Sequence, residues 1–294
     1  MGEKIHFNCP ICNSDEIIVK YNDTLGNDLP SFDYNFSPAT ARHYKIVKCK
    51  KCSHHYATPR HKDLYVNYNS DKIDETYLNL SQQRTATDNK VIKELLKYCN
   101  NGKLLDIGCA TGDFLLTAGK YYDVEGLELS EWSSKIAKNK GLTIHRCLIH
   151  EIPNKEYYDI ITLWGVIEHF EFPKQEVENL HKLLNKNGLV FLWTGNISSI
   201  TAKLMGENWH YFHGQHIQLF TKKSLRKLFF DNGFEEVKVK TYPYVITAQS
   251  LSNTLDRYPL LHKLISPIIL SKLFVKIKIT IKLPGEMLAI FRKK

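Results

Sequence analysis

Leu104-Leu105-Asp106-Ile107-Gly108-Cys109-Ala110-Thr111-Gly112-Asp113-Phe114-Leu115 is the stretch that decides the fold. Its opening apolar residues, closed by an acid, read as a buried parallel strand. A tight turn follows, with small residues at Gly108 and Gly112 that permit close approach to the backbone. Apolar residues then resume at helical spacing. A strand, a turn and a helix with a carboxylate at the strand's carboxyl end mark the edge where open α/β sheets bind ligands.

Working outward, strands and helices alternate. Asp123–Glu128 reads as a second strand, followed by a helix over 132–140 closed by Gly141. Thr143–Arg146 reads as a third strand and Tyr158–Trp164 as a fourth. A helix over 174–185 ends at Asn187-Gly188, and Leu189–Thr194 makes a fifth strand. A helix over 87–99 leads in. Thr221 caps a helix over 222–231, Glu236–Thr241 reads as a sixth strand, and Pro284-Gly285 turns into a closing strand over 286–291. The expectation is an α/β protein with a doubly wound, seven-stranded Rossmann-like sheet.

The acid on the second strand defines the ligand. Glu128 lies 22 residues after Asp106, at a strand tip suited to accepting both hydroxyls of a ribose. The turn itself lacks the third glycine of a pyrophosphate fingerprint and carries no phosphate-binding lysine. A ribose without a phosphate at the helix start suits S-adenosylmethionine (SAM), with adenosine on Glu128 and the methionine portion over the turn.

The segments Leu105–Gly112, Glu125–Ser130 and Trp164–His169 together resemble class I SAM-dependent methyltransferases over roughly 85–294. That resemblance implies that Asp106, Gly108, Cys109, Ala110, Gly112, Glu128 and Leu129 contact the donor and that Trp164 lines its methionine side. Where many relatives carry a glycine-aspartate after the third strand, this chain has Cys147-Leu148, so no side-chain reader of adenine is assigned.

Ahead of this unit, Cys9-Pro10-Ile11-Cys12 and Cys49-Lys50-Lys51-Cys52 form two knuckle-like pairs flanked by short strands. Two such turns complete a tetrahedral set of thiolates, Cys9, Cys12, Cys49 and Cys52, for one structural Zn²⁺. Four thiolates leave no open position for catalysis. The expected organisation is a zinc ribbon over 1–58, a connector or lid over 59–90, and a methyltransferase unit over 91–294 with cap segments at 195–220 and 242–283. Tyr68 and Tyr77 of the connector are candidate substrate contacts.

Between the fifth strand and the next helix, Trp209-His210-Tyr211-Phe212-His213-Gly214-Gln215-His216 concentrates histidines. Attack of a hydroxyl on a methyl sulfonium needs in-line geometry and a base, and His is the natural base near neutral pH. His216 is the first candidate, His169 the second and His213 the third, with His210 and Gln215 as substrate contacts. A zinc ribbon before such a domain resembles sugar methyltransferases acting on nucleotide-linked deoxysugars or surface glycans. Their C-methylating members carry a tyrosine and a glutamate-histidine pair where this chain has His213, Gln215 and His216. O-methylation of a sugar or other small hydroxylated acceptor in glycan biosynthesis is therefore favoured over C-methylation.

The charge of +9 over 294 residues suggests an anionic partner, but Arg supplies only seven of the 40 basic side chains. Arg is the preferred phosphate fork, so an RNA-methylating enzyme is disfavoured; a non-catalytic SAM-binding zinc adaptor stays open as an alternative, since the Asp106 turn and Glu128 argue for cofactor binding and not for turnover. The segment 260–283 is apolar with interspersed lysines and a break at Pro267. Helices packed over the substrate site are expected there, with docking to a membrane surface or a lipid-linked sugar as the alternative. Met1–Phe7 lacks an apolar core of a secretory signal, and a cytoplasmic protein is expected.

Overall fold

The computed structural model describes residues 3–30, 41–62, 64, 75–153, 156–248, 251–252, 259–274 and 278–294. A four-stranded sheet takes β1 (Ile17–Tyr21), β2 (Ile46–Cys49), β3 (His55–Ala57) and β9 (Gln218–Leu219), in that order. The seven-stranded sheet runs β10 (Phe234–Thr247), β11 (Lys278–Lys293), β8 (Leu184–Gly195), β7 (Tyr158–Trp164), β4 (Lys103–Ile107), β5 (Asp123–Leu127), β6 (Thr143–His145). Its β4, β5, β6, β7 and β8 are parallel, and β11 is antiparallel to both β8 and β10. The α/β class and the seven-stranded sheet agree with the expectation.

Burial explains the parallel run. Leu104, Leu105, Ile160, Ile161, Leu163, Val190, Phe191 and Leu192 are all buried, as expected for strands covered on both faces. The described helices are α1 (Glu75–Asn79), α2 (Ser81–Leu95), α3 (Asp113–Ala118), α4 (Glu131–Asn139), α5 (Pro173–Leu183), α6 (Ile200–Met205), α7 (Lys222–Asp231) and α8 (Pro259–Ile269); α2 and α7 pack on β10, α3 on β5, α4 on β6 and α6 on β11. The α7 start is a reciprocal cap: Ser224 N donates to Thr221 Oγ1 at 3.0 Å and Thr221 N to Ser224 Oγ at 2.9 Å. Pro173 occupies the first turn of α5, where its missing N–H costs no hydrogen bond.

Two elements depart from the sequence reading. First, 260–283 is not wholly helical, and the sixth strand does not stop at Thr241. Strand β10 continues to Thr247 and β11 begins at Lys278, so the hairpin projects beyond the rest of the sheet. Pro284-Gly285 makes no chain-reversing turn. The ladder passes from Thr241–Met287 to Pro243–Lys282, leaving 283–286 bulged opposite the break. Prolines are tolerated at such a break because the ladder needs no N–H from them. Second, Pro267 does not end α8, which continues to Ile269. Among the described residues no helix is long and apolar enough to cross a membrane.

The ribbon is joined to the main sheet by β9, which comes from the segment after β8 and pairs with β3. One hydrophobic core holds Cys9, Val47, Cys49 and Tyr56 together with Phe220, Leu225 and Phe229. The buried His54 spans the same junction, its Nε2 2.9 Å from Gln218 Oε1 and its Nδ1 3.4 Å from Ser224 Oγ.

Candidate active site

At the carboxyl ends of β4, β5, β7 and β8 a cleft of about 530 Å³ opens. One end of it is built by the β4–α3 turn. The N–H groups of Gly108 and Cys109 donate to Leu127 O at 2.8 and 3.1 Å, and Ala110 N donates to Glu128 Oε2 at 2.9 Å. These three N–H groups are thus turned toward β5 and not held out for a phosphate. Glu128 Oε1 accepts from Ser130 N at 2.7 Å. The carboxylate is 6% exposed, and its burial raises its pKa against the opposing backbone hydrogen bonds. Asp106 is buried too; Thr162 Oγ1 donates to its Oδ1 at 2.6 Å, and burial pushes its pKa well above the ordinary range.

Asp106, Gly108, Cys109, Ala110, Glu128, Leu129 and Trp164 all line the cleft, with Phe114 edge-on to Trp164 at 5.1 Å. Gly112 is not on the cleft wall. It adopts φ +77°, and a Cβ there would lie 2.3 Å from Leu142 Cδ1, so glycine lets α3 and α4 pack closely. Tyr77 lines the cleft beneath the Arg84 guanidinium, 3.7 Å from its ring. Tyr68 lies outside the described residues.

Two acidic residues at this end were not singled out in the sequence. Asp113 is held by Lys140 at 2.8 Å and Arg84 at 2.7 Å; burial alone would raise its pKa, and these two hydrogen bonds leave it lowered. Asp88 of α2 also lines the cleft. Its Oδ2 is buried without a hydrogen-bond partner, and burial, aided by the Asp113 charge, pushes its pKa up to about 7. An unpartnered buried carboxylate oxygen beside Asp106 and Glu128 makes this end of the cleft receptive to a cationic ligand.

The other end is assembled from distant segments. Glu168, 1% exposed, sits in a short turn after β7. Thr194 Oγ1 donates to its Oε2 at 3.0 Å, and the Tyr211 hydroxyl donates to its Oε1. Tyr211 reaches this point because its ring lies against Gly195, where a Cβ would stand 2.4 Å from Tyr211 Cδ1. His216 Nδ1 is 2.8 Å from Tyr211 O and His169 Nδ1 is 3.2 Å from Gln215 O. The Tyr211 carbonyl places the proton of His216 on Nδ1. The His169 and His216 rings are 4.8 Å apart, His213 and His216 5.1 Å apart. Ligand atoms of Glu168, His169 and His216 lie within 4.8 Å of one another. His210 Nε2 contacts Glu286 Oε1 at 2.9 Å, and Trp193 Nε1 donates to Glu286 Oε2 at 2.7 Å.

His169, His210, His213, Gln215 and His216 all line the cleft, as do Glu168, Tyr211, Tyr242, Tyr244 and Glu286, which sequence reasoning did not single out. Burial, then the charge of His213, lowers the His169 pKa to about 3; burial and His169 drive His216 well below its ordinary value. Both are therefore neutral. Burial raises Glu168 from 4.5 to about 7 despite its two hydroxyl donors. A raised carboxyl pKa costs stability only where the unfolded chain ionises first. Below about pH 4.5 the group is neutral in both states, and the cost grows to about 3 kcal/mol as pH rises past 7. The difference in unfolding free energy between wild type and Glu168→Gln is expected to shift by about that amount between pH 5 and pH 8.5, in favour of the variant, in denaturant titrations.

In the ribbon, Cys9 Sγ is 3.4 Å from Cys52 Sγ and Cys12 Sγ is 3.6 Å from Cys49 Sγ. Zinc–sulfur bonds of about 2.3 Å imply tetrahedral edges of about 3.8 Å, so the four sulfurs fit one ion. The residue after each pair, Asn13 and Ser53, has positive φ, the same knuckle bend on both sides.

Residues 80–239 match a family model described as a methyltransferase domain. An uncharacterized protein of Methanocaldococcus jannaschii is 25% identical over 139 residues, 47% of this chain and 66% of its own length. A mitochondrial ubiquinone biosynthesis O-methyltransferase of Candida albicans is 28% identical over 171 residues, 50% of this chain and 52% of its own. The chain thus spans between half and two thirds of the length of these curated relatives. Among solved structures, a SAM-dependent methyltransferase of Archaeoglobus fulgidus superposes with TM-score 0.53 at 17% identity, covering 75% of this chain and all of that one. One from Thermotoga maritima gives TM-score 0.51 at 18% identity over 75% of this chain and 93% of its own. These structures share the fold.

Proposed function

The chain belongs to the methyltransferase domain family, and on that premise we propose that it transfers a methyl group from SAM to a hydroxyl of a small acceptor, a nucleotide-linked or glycan sugar. The observation that carries the reading is the cleft's division. Buried carboxylates at the tips of β4 and β5, Asp106 and Glu128, face one end. Glu168 and neutral His216 face the other. When bound, SAM supplies a methyl carbon made electrophilic by its sulfonium. Glu128 would hold the ribose, and Asp88 and Asp106 would attract the donor's positive end.

In this reading His216 takes the acceptor's proton on Nε2, because Nδ1 already faces Tyr211 O. The neighbouring Glu168 carboxylate stabilises the resulting imidazolium in a buried setting where a lone cation would be costly. Trp193 and Tyr242, stacked at 5.1 Å, and Tyr244 offer ring faces; Gln215, His210 and Glu286 offer hydrogen bonds. That mixture suits a hydroxylated ring. His216→Ala is expected to lower kcat about 100-fold while SAM affinity by calorimetry changes less than about twofold. Wild-type turnover in the variant would remove His216 from the mechanism.

One observation favours a second reading. Tyr211, Glu168 and His216 meet in space, the residue types that C-methylating sugar enzymes place in one loop. Carbon NMR of product made with ¹³C-methyl SAM and pooled nucleotide sugars separates the two: a methoxyl signal supports O-transfer and a C-methyl signal the alternative. Methylation only of added RNA would reject both. The ribbon cysteines would hold a structural zinc.

A further inference from the structure

The β10–β11 projection carries a surface that the cleft does not use. From Arg257 to Gly285 the chain contains no acidic residue, but it holds Arg257, Lys263, Lys272, Lys276, Lys278 and Lys282. Helix α8 has two faces. Ser266 is buried, and Ser252 Oγ bonds its Oγ at 2.9 Å and approaches His262 Nε2 at 3.2 Å. This anchors the side of residues 262 and 266. Half a turn away, Leu264 and Ile268 stand 69% and 59% exposed. Leu273 is 76% exposed and Phe274 is also exposed, with Lys263 and Lys272 open beside them. Helix α6, packed against β11, repeats the pattern with exposed Ile200 and Leu204 around Lys203.

We propose that this surface docks on an anionic lipid bilayer. The helix is too short to cross, and its exposed apolar pair on one face with lysines alongside is the arrangement that lies in a membrane interface. The lipid charge answers the acid-free run; each Lys or Arg near such a surface contributes about 1 kcal/mol. A second copy is a poor occupant, since a two-fold contact sets the same cationic surface against itself. Nucleic acid matches the charge but not the exposed leucines, isoleucine and phenylalanine, because its interfaces are polar. The same two strands carry Tyr242, Tyr244 and Glu286 into the cleft. A bilayer bound at the projection therefore holds the cleft's acceptor end near the lipid surface. That suits an acceptor joined to a lipid, independently of which hydroxyl is methylated.

The test is sedimentation of the full chain with vesicles of phosphatidylcholine containing about one third phosphatidylglycerol, against phosphatidylcholine alone. Binding is expected only to the anionic vesicles and is expected to weaken with salt. Lys263→Glu/Lys272→Glu should reduce it roughly 30-fold or more, from two lost attractions of about 1 kcal/mol each and the added repulsion. Leu264→Ser/Ile268→Ser should also release the protein. Both variants alter exposed side chains, so unchanged thermal unfolding and SAM affinity confirm that the fold is intact. No sedimentation with anionic vesicles overturns the proposal. So does equal binding to neutral vesicles, retention on RNA in preference to vesicles, or a stable dimer that Leu264→Ser/Ile268→Ser dissociates.

Discussion

Glu128→Ala is expected to weaken SAM binding by two to three orders of magnitude. A buried carboxylate accepting both ribose hydroxyls makes two charge-assisted hydrogen bonds, each contributing about 1.5–3 kcal/mol. Alanine also leaves Ala110 N and Ser130 N without their acceptor, which loosens the turn that supports the donor. Glu128→Gln separates the two effects. Its amide oxygen restores one acceptor for the backbone while the charge is lost, so its affinity should fall between wild type and alanine. Calorimetry with SAM and with S-adenosylhomocysteine measures both. Equal affinities in wild type and Glu128→Ala would sink the ribose assignment.

Metal removal is expected to produce the second large effect. Chelation, or Cys52→Ser, should release one zinc per chain and cost several kcal/mol, about 10 °C or more in Tm. The ribbon cysteines share a core with Phe220, Leu225 and Phe229, and β3 pairs with β9 next to the histidine segment. Gln218 links His54 of the ribbon to Phe170 O beside His169. Loss of the ion should therefore reduce turnover strongly, whereas SAM affinity, on the proposal that β4 and β5 hold the donor, should fall by less than about threefold. A chain that retains its Tm and turnover after all metal is removed would show that the four thiols hold no structural ion.

The end of the cleft at β4 and β5 was legible in the sequence because it is local. Asp106, Gly108, Cys109 and Ala110 are contiguous, and Glu128 follows on the next strand in a parallel sheet whose period and spacing are visible in the chain. The opposite end was only half legible. The histidines announced themselves by density, but Glu168 lay unremarked between Ile167 and His169. Nothing in one dimension shows that Thr194 and Tyr211 converge on it from the ends of β8 and the following loop. Asp88 and Glu286 were invisible for the same reason: each is an ordinary acid until the fold buries it. The β10–β11 projection was misread because Pro243 and Pro284 normally speak against a strand. They fall at the break in the ladder, where no N–H is needed. Strand β9, two residues long, is too short to show any alternation.

Strand β11 follows both β8 and β10 in the chain, yet it lies inside the sheet between them. Until residues 286–292 emerge, β8 and β10 each present an unpaired edge, and such edges recruit other chains. A premature stop before Glu286 would do more than trim a margin. It would divide the sheet and leave Trp193 and His210 without the carboxylate that joins them. Nascent-chain solubility should therefore change abruptly over these few codons, making translation through them the step at which the molecule becomes safe from its own neighbours.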